Sequence, residues 1–498
     1  MPGKVILVGA GPGDPGLLTL KGREALESAD VVLYDRLVGD GILKMIPKGT
    51  KKINVGKQSG NHPVPQEEIN RLLLDYALDG KTAVRLKGGD SFVFGRGGEE
   101  LELLYKNNIE FEVIPGVTSA TAVPAYAGIP VTHRGASSSL HIVTAHTRDS
   151  KEPDIDLRKY AEIGGTLVFL MGAAMVGYIA EGLMDAGMDR YTPCAVIENG
   201  TTLRQRKTIG TLCDIEEKAG SVHSPAMIVV GAVCELSGRF DWFSRLPLYG
   251  KTIAVTRHEE HSSGLAGRLR TAGANVIECP CIHTESLVTK RMARELKIEV
   301  KGYDIIVFTS ASGVRAVMEG IYDIGCDARV FGDTRIAVIG SATASALEGY
   351  GLRADIIPDK YSGRALGKAL SKAAEQGGRI LMLRSVEANR RLNEILDEAG
   401  AEYKEIAVYR TISECELNIT DLINKGKIDY VTFTSGSTVH GFMQFHKHAD
   451  LSSFTAVCIG DTTAEEAGRC GMSCIISQNA SVDSMLNTII GDSIFEAE

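Results

Sequence analysis

The sequence predicts an α/β protein of two large units in tandem, the first with two α/β domains and the second with two α/β lobes. Short β-branched runs alternate with segments of helical period from end to end. This pattern is typical of α/β folds with mostly parallel sheets. One segment, 236–250, interrupts the pattern, and the second half contains an internal repeat. These three observations give the fold class and the division of the chain.

Length and composition limit the class of protein. The 498 residues are too many for one ordinary core and favour two to four domains. With 44% hydrophobic and 23% charged residues the chain is expected to fold, and a net charge of -9 argues against nucleic acid as the main partner. No apolar run reaches the roughly 20 residues of a membrane helix. The N-terminus predicts a buried strand and not a signal peptide.

The ten cysteines are scattered through the chain, which favours a reduced, cytoplasmic protein. Cys279 with Cys281, and Cys470 with Cys474, lack the spacing of a paired CxxC zinc site. Because both pairs lie in ordinary α/β sequence, we expect buried thiols and no metal.

The first unit opens with five predicted strands, each of which ends in glycine or a charged residue. In open parallel sheets, ligands bind outside the carboxyl ends of the strands, so the five loops should converge on one site. A second block, 140–233, has four strands of its own. The predicted strands are Val5–Val8, Val31–Tyr34, Ile53–Val55, Thr82–Leu86 and Phe111–Ile114, then Leu140–Thr144, Thr166–Met171, Ala195–Ile197 and Ala226–Val230.

The interruption at 236–250 predicts the boundary between the units. It contains Trp242, the single tryptophan, and the run Leu246-Pro247-Leu248. An apolar strand precedes it and a new strand begins at Lys251. We therefore expect one unit over 1–245, with domains of about 1–114 and 115–240, and a second unit over 250–498.

The repeat in the second half predicts two related α/β lobes that face each other across a cleft. The repeating unit is too long for a solenoid. The paired segments are Val255-Thr-Arg257 with Met382-Leu-Arg384, Ala272-Gly-Ala274 with Ala399-Gly-Ala401, Phe308-Thr-Ser310 with Phe433-Thr-Ser435, and Ile339-Gly-x-x-Thr343 with Ile459-Gly-x-x-Thr463.

The first glycine loop, Gly9 to Gly16, is a poor match to a dinucleotide fingerprint. Pro12 and Pro15 lack the backbone N–H groups that cradle a phosphate, and Asp14 would repel one. The loop suits a ligand without phosphate, although a simple strand-to-helix turn is the alternative. A nucleotide-dependent oxidoreductase is therefore the weaker of two functional interpretations.

A second loop, Lys87-Gly88-Gly89-Asp90, makes a small-molecule pocket the favoured interpretation. Its glycines permit close backbone approach to a ligand, and Phe92 to Phe94 supply apolar cover. Asp35 and Lys57 stand at other strand ends, where they could exchange protons with a substrate or form a salt bridge. Nearby basic residues suit either a solvated surface or a substrate with many carboxylates; they are Lys51, Lys52, Arg85, Lys87, Arg96 and Arg134.

In the second half, polar residues follow the repeated strands. Ser310 and Ser435 begin predicted helices, where hydroxyls commonly act as N-caps, but helix N-termini also bind carboxylates. Thr343 and Thr463 occupy the other repeated pair. Arg257, Arg384 and Tyr409 end apolar strands, from which they could reach the same cleft.

Long motifs in the first half resemble those of uroporphyrinogen-III C-methyltransferase, over about residues 1–245. They are VGAGPGDPGLLTLKG (8–22), YDRLV (34–38), VPQEEIN (64–70), VRLKGGDSFVFGRGGEE (84–100), PGVTSATAVPAYAGIPVTHR (115–134) and ENGT (198–201). The resemblance implies a tetrapyrrole-methylase-like unit that binds S-adenosylmethionine in the cleft between two α/β domains, usually as a homodimer.

The same resemblance implies residue roles. Asp35 would be the proton acceptor and Lys57 the proton donor. Of the basic residues named above, Arg96 and Arg134 would suit the substrate carboxylates. Cofactor contacts would come from Pro12, Gly88, Gly89, Asp90, Val93, Thr118, Ser119, Met171 and Gly200. Two positions depart from the family pattern, Ser91 in place of proline and Ala145 in place of glycine. The implied reaction transfers two methyl groups to uroporphyrinogen III and gives precorrin-2, a precursor of sirohaem and cobalamin.

Shorter motifs in the second half resemble uroporphyrinogen-III synthase, over about 250–498. They are VTR, FTSAS, IGSAT, LMLRS, AVYRT, FTSGS and IGDTT. The resemblance implies two lobes, 250–285 with 412–498 and 286–411, joined by two strands. It also implies cyclisation of hydroxymethylbilane with inversion of ring D. Tyr409 would assist departure of the hydroxyl, and Ser310, Thr343, Arg384, Ser435 and Thr463 would hold substrate carboxylates.

The two resemblances support each other, because the product of the synthase is the substrate of the methyltransferase. A methyltransferase followed by a non-catalytic small-molecule-binding module is the alternative, since duplicated α/β lobes often serve that purpose.

Overall fold

The computed structural model describes residues 2–56, 64–145, 155–257, 264–359, 362–374, 377–388, 390–415 and 417–495. The chain divides into two compact units, Met1–Gly250 and Lys251–Glu498. In these described ranges, no helix combines the length and the apolar character that crossing a membrane requires.

The first domain of the first unit is a parallel sheet covered by helices. Its elements are β1 (Lys4–Gly9), α1 (Leu20–Glu27), β2 (Val31–Tyr34), α2 (Asp40–Leu43), β3 (Lys51–Asn54), α3 (Gln66–Leu78), β4 (Ala83–Lys87), α4 (Gly97–Lys106) and β5 (Glu110–Ile114). The strand order is β3-β2-β4-β1-β5, with every pairing parallel. Strands β1 and β4 are buried almost throughout, as parallel strands covered on both faces should be. All five predicted strands are present, and their carboxyl ends share one edge.

The second domain is a mixed sheet with three antiparallel pairings. Its elements are α5 (Ser119–Tyr126), β6 (Leu140–Thr144), α6 (Leu157–Ile163), β7 (Thr166–Leu170), α7 (Val176–Asp185), β8 (Pro193–Glu198), β9 (Arg206–Thr211), α8 (Ile215–Ala219) and β10 (Ala226–Val230). Only β6 and β7 run parallel in the order β6-β7-β10-β8-β9. The sequence did not indicate β9, because this half-exposed edge strand is largely polar. A short loop joins it to β8, which makes their pairing antiparallel.

The segment 236–250 packs against this domain. A short helix, α9 (Ser237–Phe240), leads into a cluster of aromatic rings in which Trp242 and Phe243 both contact Tyr126. Trp242 Nε1 donates to the carbonyl of Ala125 at 3.1 Å. Phe243 and Leu248 are 5% and 0% exposed. The predicted linker therefore completes the core of the first unit, and the second unit begins at its end.

The second unit is built on one sheet of nine strands. Its elements are β11 (Thr252–Arg257), α10 (Leu265–Thr271), β12 (Asn275–Ser286), α11 (Lys290–Glu299), β13 (Ile305–Phe308), α12 (Ala311–Asp323), β14 (Arg335–Val338), α13 (Ser341–Glu348), α14 (Gly363–Ala374), β15 (Ile380–Ser385), α15 (Arg391–Glu398), β16 (Tyr403–Ser413), α16 (Thr420–Asn424), β17 (Tyr430–Phe433), α17 (Gly436–Phe445), β18 (Thr455–Cys458), α18 (Asp461–Arg469), β19 (Cys474–Ile476) and α19 (Val482–Phe495). The strand order is β14-β13-β15-β16-β12-β11-β17-β18-β19.

Two long strands join the halves of this sheet. Strand β12 pairs in parallel with β11 and then antiparallel with β16, from Ile282 opposite Ser413 to Ser286 opposite Tyr409. Strand β16 likewise pairs in parallel with β15 before it meets β12. The β12–β16 pairing is the one antiparallel contact among the described strands of this unit.

The internal repeat occupies equivalent places on the two sides of this connection. Phe308 and Phe433 end β13 and β17, and each strand is followed by a long helix. Separate hydrophobic cores lie on the two sides, one around Phe308 and the other around Phe433. Cys279 and Cys281 are fully buried in the second of these cores, and Cys470 and Cys474 border it. The described residues contain no group of histidine, cysteine and carboxylate side chains arranged to hold a metal.

Candidate active sites

Three glycine backbones meet at the carboxyl edge of the first sheet. A Cβ atom on Gly9 would lie 2.4 Å from the nitrogen of Gly116, and one on Gly116 would lie 2.3 Å from the carbonyl oxygen of Gly89. Gly11 and Gly89 exchange backbone hydrogen bonds of 3.1 and 2.8 Å. Because no side chain fits between these loops, the ends of β1, β4 and β5 form a close-packed backbone floor.

Asp90 ties two of these loops together. Its Oδ1 accepts from the backbone nitrogens of Phe92 at 2.8 Å and Val93 at 3.2 Å, and its Oδ2 accepts from Gly116 at 2.9 Å. The carboxylate therefore orders the loop after β4 and connects it to the loop after β5. The sequence predicted that Asp90 contacts the ligand. In the structure its carboxylate accepts three backbone hydrogen bonds, two within its own loop and one from the loop after β5.

The loop after β8 reaches the first glycine loop from the second domain. The backbone nitrogen of Asp14 donates to Thr201 Oγ1 at 3.3 Å, and Tyr126 donates its hydroxyl to Asp14 Oδ2 at 2.7 Å. Burial, and then the neighbouring Asp14 carboxylate, raise the pKa of Tyr126. Gly200 packs directly on Val123, since a Cβ atom there would lie 2.2 Å from Val123 Cγ1. These contacts join the loop after β8 and helix α5 to the first glycine loop.

Strained backbone concentrates in the loops at these strand ends. Among the described residues, six other than glycine have positive φ, and five of them lie in loops that follow β4, β7 and β8. These five are Phe94, Arg96, Met171, Asn199 and Thr201. Such strain persists only where the surroundings enforce it, and it is frequent at ligand-binding sites.

The remaining predicted cofactor residues lie on loops and a helix start that follow β1, β4, β5 and β7. Val93 packs against the core of the second sheet, and Met171, the residue after β7, is half exposed. Thr118 caps α5 by accepting from the nitrogen of Ala120 at 3.3 Å, and Ser119 is the first residue of that helix. Gly88 follows β4 directly, and a Cβ atom on it would meet Leu37. Pro12 lies between Gly11 and Gly13, on the loop that Thr201 contacts.

Asp35 lies beside this floor, above a buried group of charges. Its Oδ1 accepts from the nitrogen of Leu37 at 3.0 Å, and its Oδ2 lies 3.4 Å from the nitrogen of Gly88. Arg85 Nη2 is 3.7 Å from Asp35 Oδ2. Behind Arg85 lies Glu100, a fully buried residue of α4 that the sequence did not single out. Its helical position gave no sign that it faces the site.

Two predicted cations, Arg96 and Arg134, make no side-chain hydrogen bond or ion pair with these loops among the described residues. Lys57 lies outside the described residues. Arg96 is exposed and pairs with Glu99 through bonds of 2.9 and 2.6 Å, so its guanidinium is already engaged. Arg134 lies in an exposed turn closed by His133 and Ser137, and the described residues give it no ion pair. The predicted roles of these three cations stay predictions.

In the second unit, Ser310 and Tyr409 form a hydrogen-bonded pair at the connection between the halves of the sheet. Ser310 Oγ accepts from the nitrogen of Gly313 at 3.0 Å and donates to Tyr409 Oη at 2.8 Å. Because Tyr409 accepts this bond, its own proton is free to be donated elsewhere. Tyr409 is 9% exposed, so the phenol lies in a mostly dry environment.

The helix starts of the repeat combine capping with free backbone groups. Ser435 caps α17 in a capping box with Thr438. Thr343 and Thr463 are 3% and 5% exposed, so their side chains face inward. In the first turns of α13 and α18, the exposed hydroxyls belong to Ser341 and Thr462, which the sequence did not single out.

The caps of α13 and α18 are glycines without a side-chain acceptor, Gly340 and Gly460. Both have extended backbones. The N–H groups of Thr343 and Thr463 donate to the carbonyls of these cap glycines, whereas the first two N–H groups of each helix have no acceptor among the described residues. Both helix starts therefore offer backbone donors to a carboxylate, and α18 also carries the acidic Asp461 in its first turn.

Arg384 points into the protein. It is 4% exposed, and its Nη1 donates to Asn393 Oδ1 at 2.8 Å and lies 3.4 Å from Glu405 Oε1. Burial lowers the pKa of this guanidinium, and Glu405 opposes that effect. These contacts support a structural role at the end of β15, while substrate contact by Arg384 stays a prediction.

Comparison with known families agrees with the two-unit division. The model for Tetrapyrrole (Corrin/Porphyrin) Methylases matches residues 4–216, and the model for Uroporphyrinogen-III synthase HemD matches residues 263–487. The first match lies in the first unit and the second match in the second.

Two relatives align with nearly the whole chain. Porphyrin biosynthesis protein HemD of Ruminiclostridium josui is 44% identical over 98% of each chain. Uroporphyrinogen-III C-methyltransferase of Bacillus subtilis is 35% identical over 96% of this chain and 95% of its own. The S-adenosyl-L-methionine-dependent uroporphyrinogen III methyltransferase of Methanosarcina barkeri is 54% identical over 47% of this chain and 93% of its own. The third relative corresponds to the first unit alone.

Proposed function

The chain belongs to the tetrapyrrole methylases through its first unit and to the uroporphyrinogen-III synthases through its second, and from this premise we propose that it makes precorrin-2. The second unit cyclises hydroxymethylbilane to uroporphyrinogen III with inversion of ring D. The first unit then transfers methyl groups from S-adenosylmethionine to C2 and C7 of that product. The observation that carries the proposal is the glycine floor at the ends of β1, β4 and β5, closed by loops of the second domain.

S-adenosylmethionine would bind at these strand ends, in a cleft between the two domains of the first unit. Gly89 has φ of 68°, and a Cβ atom on it would have only Ser119 N within 4 Å, at 3.9 Å. The floor therefore leaves room beside Gly89 for a ligand that lies against the backbone. Pro12, Gly88, Asp90, Val93, Thr118, Met171 and Gly200 would line the same space. When bound, S-adenosylmethionine supplies a sulfonium-activated methyl group, which an electron-rich pyrrole carbon accepts without help from a metal.

The protein would contribute to methyl transfer mainly by positioning the reacting carbon and by accepting one proton. Holding the pyrrole carbon in line with the methyl group supplies much of the rate. The methylated ring must then lose a proton, and the Asp35 carboxylate would accept it. Lys57 would donate a proton, and Arg96 and Arg134 would hold substrate carboxylates.

In the second unit, Tyr409 would donate a proton to the departing hydroxyl of hydroxymethylbilane. The bond from Ser310 fixes the phenol and leaves its proton available. The helix starts at Ser310, Ser435, Thr343 and Thr463 would hold the carboxylates of the chain, with the free N–H groups of α13 and α18 as donors. Holding both ends of the linear substrate would favour the closure that inverts ring D.

The protein would act in the cytoplasm on small tetrapyrroles, as a homodimer through its first unit. It would need no metal, nucleic acid or membrane partner.

One assay tests both activities. Full-length protein is incubated anaerobically with hydroxymethylbilane and S-adenosylmethionine, and the products are separated and weighed by mass spectrometry. The proposal expects a doubly methylated type III product. Accumulation of the symmetric isomer I would mean that the second unit is a binding module without synthase activity. Tight binding of NAD(H) in place of S-adenosylmethionine would instead support an oxidoreductase.

A further inference from the structure

The charges behind Asp35 form a buried cluster that the proposed chemistry does not use. Arg85, Lys87 and Glu100 are 3%, 4% and 0% exposed. One oxygen, Glu100 Oε1, accepts from Arg85 Nε at 3.0 Å, from Lys87 Nζ at 2.9 Å and from Gln66 Nε2 at 3.1 Å. The other oxygen, Oε2, has no hydrogen-bond partner among the described residues. Burying several charges is costly even when they are paired.

The cluster holds Arg85 in one place. Besides the bond from Nε to Glu100, Arg85 Nη1 donates to the carbonyl oxygen of Leu86 at 3.0 Å and to that of Leu33 at 3.4 Å. Three groups therefore restrain the guanidinium on the side away from Asp35. Its Nη2 stops 3.7 Å from Asp35 Oδ2, which is close enough for an ion pair but too far for a hydrogen bond.

We infer that Glu100 is a positioning residue for Asp35. By holding Arg85, it keeps the guanidinium near the Asp35 carboxylate without a direct hydrogen bond. Asp35 is thereby oriented, yet Oδ2 keeps a lone pair to accept a proton from the methylated ring. The inference rests on the proposed role of Asp35 as the proton acceptor.

The charged groups around Asp35 determine the direction in which a substitution of Glu100 should move the pH profile of methyl transfer. In the described part of the chain, Arg85 and Lys87 face it from β4, Glu100 lies behind them on α4, and Arg36 follows it in its own loop. Burial, and then Arg85, lower the pKa of Lys87, while Glu100 opposes both. Glu100 is thus the carboxylate that competes with Asp35 for Arg85.

The test measures kcat/KM for methyl transfer to uroporphyrinogen III against pH, with the full-length protein. Glu100→Gln keeps the shape of the side chain but weakens its hold on Arg85. We expect Arg85 to close on Asp35 with a charge-assisted hydrogen bond, which stabilises the charged carboxylate and makes it a weaker base. The acidic limb of the profile should move to lower pH, and the plateau should fall about tenfold.

Arg85→Met provides the matched variant, because it leaves Lys87 and Glu100 as a balanced pair and should fold even if Glu100→Gln does not. Loss of the cation beside Asp35 should move the acidic limb to higher pH. If Glu100 acts through Arg85, adding Glu100→Gln to Arg85→Met should cause no further shift. The inference is overturned if the limb stays in place in Arg85→Met, or if Glu100→Gln shifts it equally with Arg85 absent. A uniform loss of rate in Glu100→Gln without movement of the limb would also overturn it.

Asp35→Asn separates this inference from the function on which it rests. If methyl transfer proceeds normally in Asp35→Asn, the proposed role of Asp35 is wrong. If Asp35→Asn abolishes transfer while Glu100→Gln leaves the acidic limb in place, only the positioning role of Glu100 is wrong.

Discussion

Replacing Asp90 with asparagine should release one backbone amide, that of Gly116, beside the proposed cofactor site and leave those of Phe92 and Val93 in place. The new side chain could still accept from Phe92 and Val93 through its Oδ1, as Asp90 does at 2.8 and 3.2 Å. Oδ2, however, becomes an NH2 group that faces the N–H of Gly116, where the carboxylate now accepts at 2.9 Å. Two donors then face each other, and the bond between the loops after β4 and β5 is lost.

The expected change in hydrogen exchange of the Gly116 amide follows from the loss of that one hydrogen bond. A hydrogen bond to a charged group contributes about 1.5–3 kcal/mol. A loss of about 2 kcal/mol, at 1.4 kcal/mol for each tenfold change, corresponds to roughly 30-fold faster opening of the Gly116 amide. Because the bond holds the cleft loops together, S-adenosylmethionine should also bind at least about tenfold more weakly.

Hydrogen–deuterium exchange measured by mass spectrometry can resolve the amides, and titration calorimetry can follow binding. Peptides that contain Gly116 should exchange faster, while peptides that contain Phe92 and Val93 should change little. Asp189→Asn is the control, because Asp189 accepts one backbone bond, from Tyr191 at 2.9 Å, through an oxygen that asparagine retains. The reasoning is refuted if Gly116 exchanges at the native rate, or if all three amides are released together.

Three further substitutions test other parts of the structure. Tyr409→Phe should lower the synthase rate about 10- to 100-fold by removing the donated proton, while methylation of supplied uroporphyrinogen III stays at the native rate; equal synthase rates would exclude Tyr409 as the acid. Ser91→Ala should raise the free energy of unfolding by about 1 kcal/mol, because the buried Ser91 hydroxyl has no partner among the described residues; a lower melting temperature would contradict this. Gly200→Ala should destabilise the first unit by about 1–3 kcal/mol and weaken S-adenosylmethionine binding, since its Cβ would lie 2.2 Å from Val123 Cγ1; unchanged binding and melting would show that Val123 moves freely.

Local sequence signals were sufficient for much of the fold. Apolar runs such as 31–34 and 226–230 correspond to strands with the same bounds in the structure. Strand β9 was missed because an edge strand of mixed polarity carries no local apolar pattern. The mixed pairing of the second sheet could not be predicted either, since it depends on where β10 inserts.

The packing of the segment 236–250 could not be predicted from its composition. Its irregular sequence lies at the end of the first compact unit, but it did not reveal that Trp242 and Phe243 pack on Tyr126. A short run of aromatic residues in a sequence can belong either to a linker or to a core. Here it belongs to the core because Tyr126, which these rings contact, lies in α5.

The sequence by itself determined the alternation of strands and helices, the glycine loops at the strand ends, and the repeat of the second half, because each depends on residues close together in the chain. The tertiary structure decided which side chains face the sites. Tyr409 meets Ser310, far from it in sequence, because β16 crosses between the halves of the sheet. Glu100 of α4 binds Arg85 of β4, and Arg85 in turn lies beside Asp35, because the helix and the strand meet behind the site. Such contacts depend on strand order and helix packing, which local patterns do not contain.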